Sequence, residues 1–347
     1  MTEHRPGRRA AIVAGLRTPF TKSATVFRDV PAVALARHAV RELLVRSELD
    51  GREVDEVVFS QVVPSPLVPN VAREVSLLPQ LLPSIPAYTL NRACASAAQA
   101  IANAADQIAL GHADTVLAGG VESLSDIPIL HSRRFSRVLV DASKARSVGA
   151  RVAAFGRVRL RDLVPVSPAI AEPSTGESMG QSAEKMAKEN GITREAQDRL
   201  ALMSHQRAAA ASADGRLRAE IAPWFGGREM DQPVTEDNGV RADTSLEALA
   251  KLRPVFDRRY GSVTAGNSSP LTDGAAAVLL MAEDKARALG YEPLAYLRSY
   301  AVAAVDPGWQ LLMGPVYAVP KALERAGIGW GDLGLVEIHE AFAAQVL

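Results

Sequence analysis

The feature that most constrains this chain is a pattern it uses twice. Setting Leu44 on Leu323, an offset of 279 positions, also sets Arg46 on Arg325, Leu49 on Ile328, Val54 on Leu333, Val57 on Val336 and Phe59 on Ile338. An amphipathic helix, a polar turn and a strand recur in register without a gap, which is how a structural unit built twice reads in sequence. Position 347 matches Val68 at this offset, so the second copy stops short of a counterpart to the strand and helix around residue 94. The repeat therefore predicts two similar halves, the second incomplete.

Around the repeat, strands and helices alternate. "AAIVAGL", "VDEVVFSQVV", "AYTLN" and "DTVLAGG" read as strands; "VALARHAVRELLVRS", "NVAREVSLL" and the run from Cys94 to Leu110 read as helices. That order predicts an α/β fold with a largely parallel sheet covered by helices. From about 127 to 253 the alternation gives way to Pro-punctuated loops and helices, an inserted loop domain. It resumes with "GAAAVLLMA", "EDKARALG", "LAYLRSYAVAAV", "VYAVPKALERAG" and "LGLVEIHEAF". The predicted organisation is a first half over 1–126, the insertion over 127–253 and a second half over 254–347.

Lys+Arg and Asp+Glu both number 39, so nothing in the total suggests neutralisation of a phosphate backbone, and nucleic acid is not an expected partner. The opening "MTEHRPGRR" is basic but leads into no apolar signal core, and one cysteine allows no internal disulfide. These features point to a cytoplasmic protein.

The single cysteine, Cys94, stands in "AYTLNRACASAAQAIANAADQIALG". The strand-then-helix pattern puts it at the positive end of a helix dipole, which favours a thiolate. The small residues after it, "ASAAQA", allow close approach of substrate and leave helix N–H groups free for an oxyanion. A buried structural cysteine competes on equal terms at this point, because free cysteines are among the most buried residues.

Four stretches, "NRACASAAQAI", "AGGVESLS", "VTAGNSSPLTDGAAAVLLM" and "HEAFAAQ", together resemble the thiolase family in sequence order. Within it they are similar to the 3-ketoacyl-CoA thiolases that form the β-subunit of bacterial fatty-acid oxidation complexes. The resemblance implies a five-layered αβαβα fold of two halves with an inserted loop domain. It implies that Cys94 is the nucleophile that carries the acyl group as a thioester. His339 would hold the donor of one oxyanion hole, with Glu340 supporting it. Asn267 and Ser269, in the loop with Gly266 and Ser268, would line the CoA site, and Met179 with Gly180 would line the acyl or CoA tunnel. Pro270 stands where other thiolases have glycine. Metal binding at "HEAFA" is not expected, since the second His of H-E-x-x-H is missing.

The resemblance further implies no metal or redox cofactor, with coenzyme A as co-substrate, and a homodimer within a complex with a hydratase/dehydrogenase subunit. The family's base, a His in "GHP", and its acid, a Cys in a "CxGG"-like motif, have no match here, and both are expected beyond Leu347. Two alternatives stand beside this reading: a biosynthetic acetoacetyl-CoA thiolase running the condensation, and, motivated by the missing base and acid, a non-catalytic acyl-CoA binding or scaffold protein. Residues 131–162 carry nine Arg or Lys against two Asp, with Val, Leu and Phe interleaved. That composition reads as a solvated basic face, or as a surface docking a subunit or an anionic membrane.

Overall fold

The computed structural model describes residues 8–156, 158–166, 171–226 and 232–347. The first half runs β1 (Ala10–Arg17), β2 (Thr21–Lys22), α1 (Ala32–Ser47), β3 (Glu56–Ser60), α2 (Val71–Ser76), β4 (Ala87–Leu90), α3 (Ser96–Ala109) and β5 (Thr115–Ser123). Helices α4 (Arg133–Lys144), α5 (Val148–Phe155), α6 (Met179–Glu189), α7 (Arg194–Ala213), α8 (Arg216–Glu220) and α9 (Leu246–Ala250) follow. The chain then forms β6 (Thr272–Ala282), α10 (Glu283–Ala288), β7 (Ala295–Tyr296), α11 (Gly314–Ala326) and α12 (Ala343–Val346).

The strands form one sheet in the order β4-β3-β5-β6-β1-β7, with β2 also on β6. Only β3 with β4 and β3 with β5 are parallel; β6 runs antiparallel to β5, β1 and β2, and β7 antiparallel to β1. The largely parallel sheet predicted from the alternation is therefore a mixed one. The reason is β6, which arrives after the insertion and enters the middle of the sheet between β1 and β5, a placement that order along the chain does not reveal. The segment read as the start of a second half thus supplies a central strand of the first.

Alternation along each strand divides the sheet into two faces. Val57, Phe59, Leu117, Leu279 and Met281 pack with α1 and α2, whereas Val58, Val116, Ala118, Leu280 and Ala282 pack with α3. Helix α1 reads as an amphipathic stripe and buries Leu35, Ala36, Ala39, Val40, Leu43 and Leu44 accordingly. At about 25 cal/mol per Å² of buried apolar surface, these two faces are the main source of stability.

The copies of the repeat part company here. Val57 and Phe59 are fully buried in the sheet, but their counterparts Val336, 64% exposed, and Ile338 lie in a segment without strand pairing. "LAYLRSYAVAAV" likewise pairs only at Ala295–Tyr296. Of the two predicted strands, "LGLVEIHEAF" forms none among the described residues and "LAYLRSYAVAAV" forms only the two-residue β7. Alternating side chains mark a face, but a strand also needs a neighbour to take its N–H and C=O groups. For Ala295–Tyr296 that neighbour is β1; for the segment of Val336 and Ile338 no strand among the described residues supplies it.

Candidate active site

Cys94 lies in the tight connection between β4 and α3. The polypeptide turns there with Ala93 at φ 45°, in the left-handed region, and two backbone bonds close the turn: Ala95 N donates to Arg92 O and Ser96 N to Ala93 O, each at 3.1 Å. The buried Ser96 hydroxyl accepts from Arg92 N at 2.7 Å and donates to Ala93 O at 2.6 Å. Cys94 thus stands two residues ahead of α3, and it is exposed. The buried structural reading of the thiol is thereby set aside.

Two glycines of β5 make this position possible. A Cβ on Gly119 would fall 2.3 Å from the Ala276 carbonyl and 2.6 Å from the Phe59 ring, and one on Gly120 would fall 2.4 Å from Ser60 Oγ and 3.3 Å from Ala97 Cβ. Their absence lets β5 lie against β6 and lets the first turn of α3 press onto the sheet. Below Cys94 is an open cavity of about 250 Å³ lined also by Ser60, Gln61, Ser96, Gly120, Glu122 and the start of β6.

Glu122 at the end of β5 is half-buried. Its Oε2 accepts from Val62 N at 2.9 Å and Val63 N at 3.3 Å, while Oε1 is enclosed with no partner among the described residues. Burial pushes this carboxyl above its ordinary range, Asp273 adds to the rise, and the two amides oppose it.

A second cavity, of about 290 Å³, contains His339, Glu340, Asn267, Ser268, Ser269 and Pro270 together with Ser204 and His205 of α7. Backbone pairing brings the two motifs side by side: Ser269 N donates to Ala341 O at 2.8 Å and Ala343 N to Asn267 O at 3.0 Å. Asn267 is buried and its amide is fully engaged. It donates to Asp198 Oδ1 at 2.9 Å and Ser262 O at 3.1 Å, and accepts from Thr264 N at 2.7 Å. Its contribution to the cavity is the shape of the loop rather than a free amide.

Ser269 is exposed at the rim, its hydroxyl donating to Pro270 O at 3.3 Å. Glu340 accepts from the Ser204 hydroxyl. His205 Nδ1 accepts from Arg241 N at 3.3 Å, which leaves the proton on Nε2; burial pulls its pKa down, as do Arg241 and Lys22. His339 itself is exposed at the cavity wall.

The structure therefore gathers His339, Asn267 and Ser269 in one cavity and places Cys94 in the next. The segment 269–274 joins them, since Ser269 and Pro270 line one and Thr272 and Gly274 the other. Met179 lines neither. It begins α6 under a capping box formed by Ser178 and Gln181, and the next residue, Gly180, packs so tightly that a Cβ would fall 1.8 Å from the Phe256 ring. Phe256 in turn meets Phe342 edge to face, with ring centroids 6.3 Å apart, so this helix start buttresses the His339 segment from behind.

Sequence reasoning passed over Ser204, His205 and Glu122. The first two carried a signal, because Leu200 with Ser204 and Ala201 with His205 are i,i+4 pairs on one face of α7. No group of three or more potential metal ligands occurs among the described residues. No described helix is long and apolar enough to cross a membrane.

The family description "Thiolase, N-terminal domain" matches residues 10–284, and "Thiolase, C-terminal domain" matches residues 291–347. The chain belongs to the thiolase family. It is 52% identical to proteins named 3-ketoacyl-CoA thiolase from several strains of Escherichia coli, over 343 residues that make up 99% of this chain and 78% of theirs. Its fold matches the crystal structure of the Bacillus anthracis acetyl-CoA acetyltransferase with a TM-score of 0.85 at 33% identity, covering 98% of this chain and 82% of that one. As a thiolase, the chain has the thiolase fold and is an acyltransferase. The N-terminal description extends through β6, in keeping with the place of that strand in the sheet.

Proposed function

We propose that this thiolase cleaves 3-ketoacyl-CoA with coenzyme A, as a step of fatty-acid β-oxidation, through a thioester on Cys94. The observation that carries the reading is the only thiol of the chain, exposed ahead of α3 over a pair of glycines. Cys94 gives up its thiol proton and attacks the keto carbon as the thiolate, the bond between C2 and C3 breaks, and its electron pair leaves on C2 as the acetyl-CoA enolate, which takes up one proton in place of the one the thiol released. The thiol of a second CoA then attacks the thioester and regenerates Cys94. His339, Asn267 and Ser269 serve as the wall on the CoA side, with His339 holding a donor toward the developing oxyanion. No metal or redox cofactor takes part in these steps.

Intact mass after incubation with 3-ketoacyl-CoA tests the reading. An adduct of acyl mass on Cys94, released as shortened acyl-CoA when CoA is added, is the expected result; no adduct would leave an acyl-CoA-binding protein. Rates on acetoacetyl-CoA against long-chain substrates separate degradation from the acetoacetyl-CoA branch.

The working assembly is a homodimer held with a hydratase/dehydrogenase subunit in the cytoplasm. One edge of β4, immediately before the Cys94 turn, is unpaired among the described residues and suits pairing with a second copy.

The basic segment forms the α4–α5 hairpin, whose docking role is part of the same proposal; Arg157 lies outside the described residues. Helix α4 buries only Val138 and Ala142, and α5 buries nothing. Val140, Val148, Val152 and Phe155 are exposed among exposed Arg133, Arg137, Arg146 and Arg151. Arg134 differs, because it pairs with the buried Asp162 at 3.3 Å. Replacing Arg133, Arg137, Arg146 and Arg151 by Gln is expected to weaken salt-sensitive co-sedimentation with anionic vesicles while sparing thiolysis. Unchanged binding would mark the hairpin as a solvated face.

A further inference from the structure

The Cys94 turn is held from one side by its own helix, through Ser96. From the other side a chain of hydrogen bonds reaches it from the end of β5. Glu122 Oε2 accepts from Val62 N at 2.9 Å; the carbonyl of the same Val62 accepts from Asn91 Nδ2 at 2.9 Å; Asn91 Oδ1 accepts from Ala93 N at 2.9 Å. Ala93 is the residue before Cys94 and the one in the left-handed conformation. A non-glycine residue keeps such a backbone only when its surroundings over-determine it. The two Asn91 bonds and the Glu122 carboxylate supply that constraint from outside the helix.

The chemistry of each link is directional. Val62 receives a carboxylate at its N–H and an amide donor at its C=O, so the peptide units on both sides of its Cα are held. Asn91 uses its amide as a bridge: donor to the loop after β3, acceptor from the turn that carries the thiol. Gln61 N donates to Leu90 O at 3.3 Å, which ties the start of the same loop to the end of β4. Glu122 and Cys94 line the same cavity.

We propose that Glu122 and Asn91 are positioning residues for Cys94, linked through the Val62 backbone, and that they set the orientation of Sγ toward the reacting carbonyl. The proposal rests on the acyl-transfer reading for its effect on rate, but the linkage itself does not. Neither residue forms a bond to substrate; each acts through the Ala93 backbone. Glu122→Gln keeps a carbonyl oxygen where Oε2 accepts from Val62, so it is the conservative variant, whereas Glu122→Ala and Asn91→Ala each remove one link.

The test combines hydrogen exchange, read by mass spectrometry on the peptide that contains residues 91–96, with steady-state thiolysis of the full chain. Glu122→Ala and Asn91→Ala should exchange faster in that peptide than the parent, with protection elsewhere in the sheet retained. Their kcat should fall about 10- to 100-fold while KM for 3-ketoacyl-CoA stays within about threefold, as expected for a misplaced reacting group. Glu122→Gln should restore both readouts to near the parent. Parent-like exchange at 91–96 in Glu122→Ala and Asn91→Ala overturns the proposal, and so does a Glu122→Gln variant as impaired as Glu122→Ala. Should Glu122→Ala fail to fold, Asn91→Ala decides, since Asn91 is exposed. A parent chain that forms no acyl adduct overturns the thiolysis reading instead, and exchange still reports on the linkage.

Discussion

Replacing Cys94 by Ser should eliminate the acyl-enzyme and lower thiolysis by about 10³-fold or more, because a neutral hydroxyl is a far weaker nucleophile than a thiolate. The variant should fold as the parent does. Cys94 is exposed, and exposed substitutions away from special features usually change stability by about 0.5 kcal/mol or less. The readout is unusually clean, since no other thiol exists in the 347 residues. Intact mass should show neither an acyl adduct nor an iodoacetamide adduct on Cys94→Ser, while the parent shows both. Residual thiolysis above a few per cent of the parent would remove Cys94 from the nucleophile's role.

The second large effect is expected at His339. Loss of one oxyanion donor costs about 10²- to 10³-fold in kcat, and His339→Ala should fall in that range. His339→Asn, which keeps a side-chain N–H donor, should fall less. The side chain is exposed at the wall of the cavity formed with Asn267 and Ser269, so the thermal midpoint should not move with either change. If His339→Ala keeps more than about a third of the parent kcat and raises only KM, the residue contributes to binding and not to charge development.

Much of the first half was legible because it consists of long, strongly patterned elements. The stripe of α1 and the apolar runs of β3, β5 and β6 could be assigned from spacing, since 3.6 and 2.0 residue periods survive without knowledge of neighbours. Cys94 was legible for a different reason: a lone thiol between a strand and a run of small residues leaves few structural uses. The two glycines behind it were visible as letters, but their purpose was not. Only the approach of Ala276, Phe59 and Ser60 shows why no side chain fits there.

Other parts of the site could not be read along the chain. That Asn267 shapes its cavity with an amide engaged by Asp198, Ser262 and Thr264 shows only in the packed chain. Nor does the sequence show that Met179, expected along the acyl or CoA tunnel, opens α6 under a capping box with Gly180 packed on Phe256. Glu122 stands inside the "AGGVESLS" motif, but what gives it a role, an enclosed oxygen and two amides from a loop about sixty positions away, appears only in the packed chain.

The sequence by itself determined where most elements of the first half form, which side of each is apolar, and that a single thiol precedes a helix, because these follow from local period, turn chemistry and residue size. Tertiary structure decided what each element pairs with. It placed β6 antiparallel between β1 and β5, left the second copy's Val336 and Ile338 outside any sheet, and set His339 against the Asn267 loop in a cavity next to that of Cys94. The physical reason is common to all three. Side-chain pattern is a property of one segment, whereas a backbone hydrogen bond or a cavity wall needs a second segment, and its identity is fixed only when the whole chain is packed.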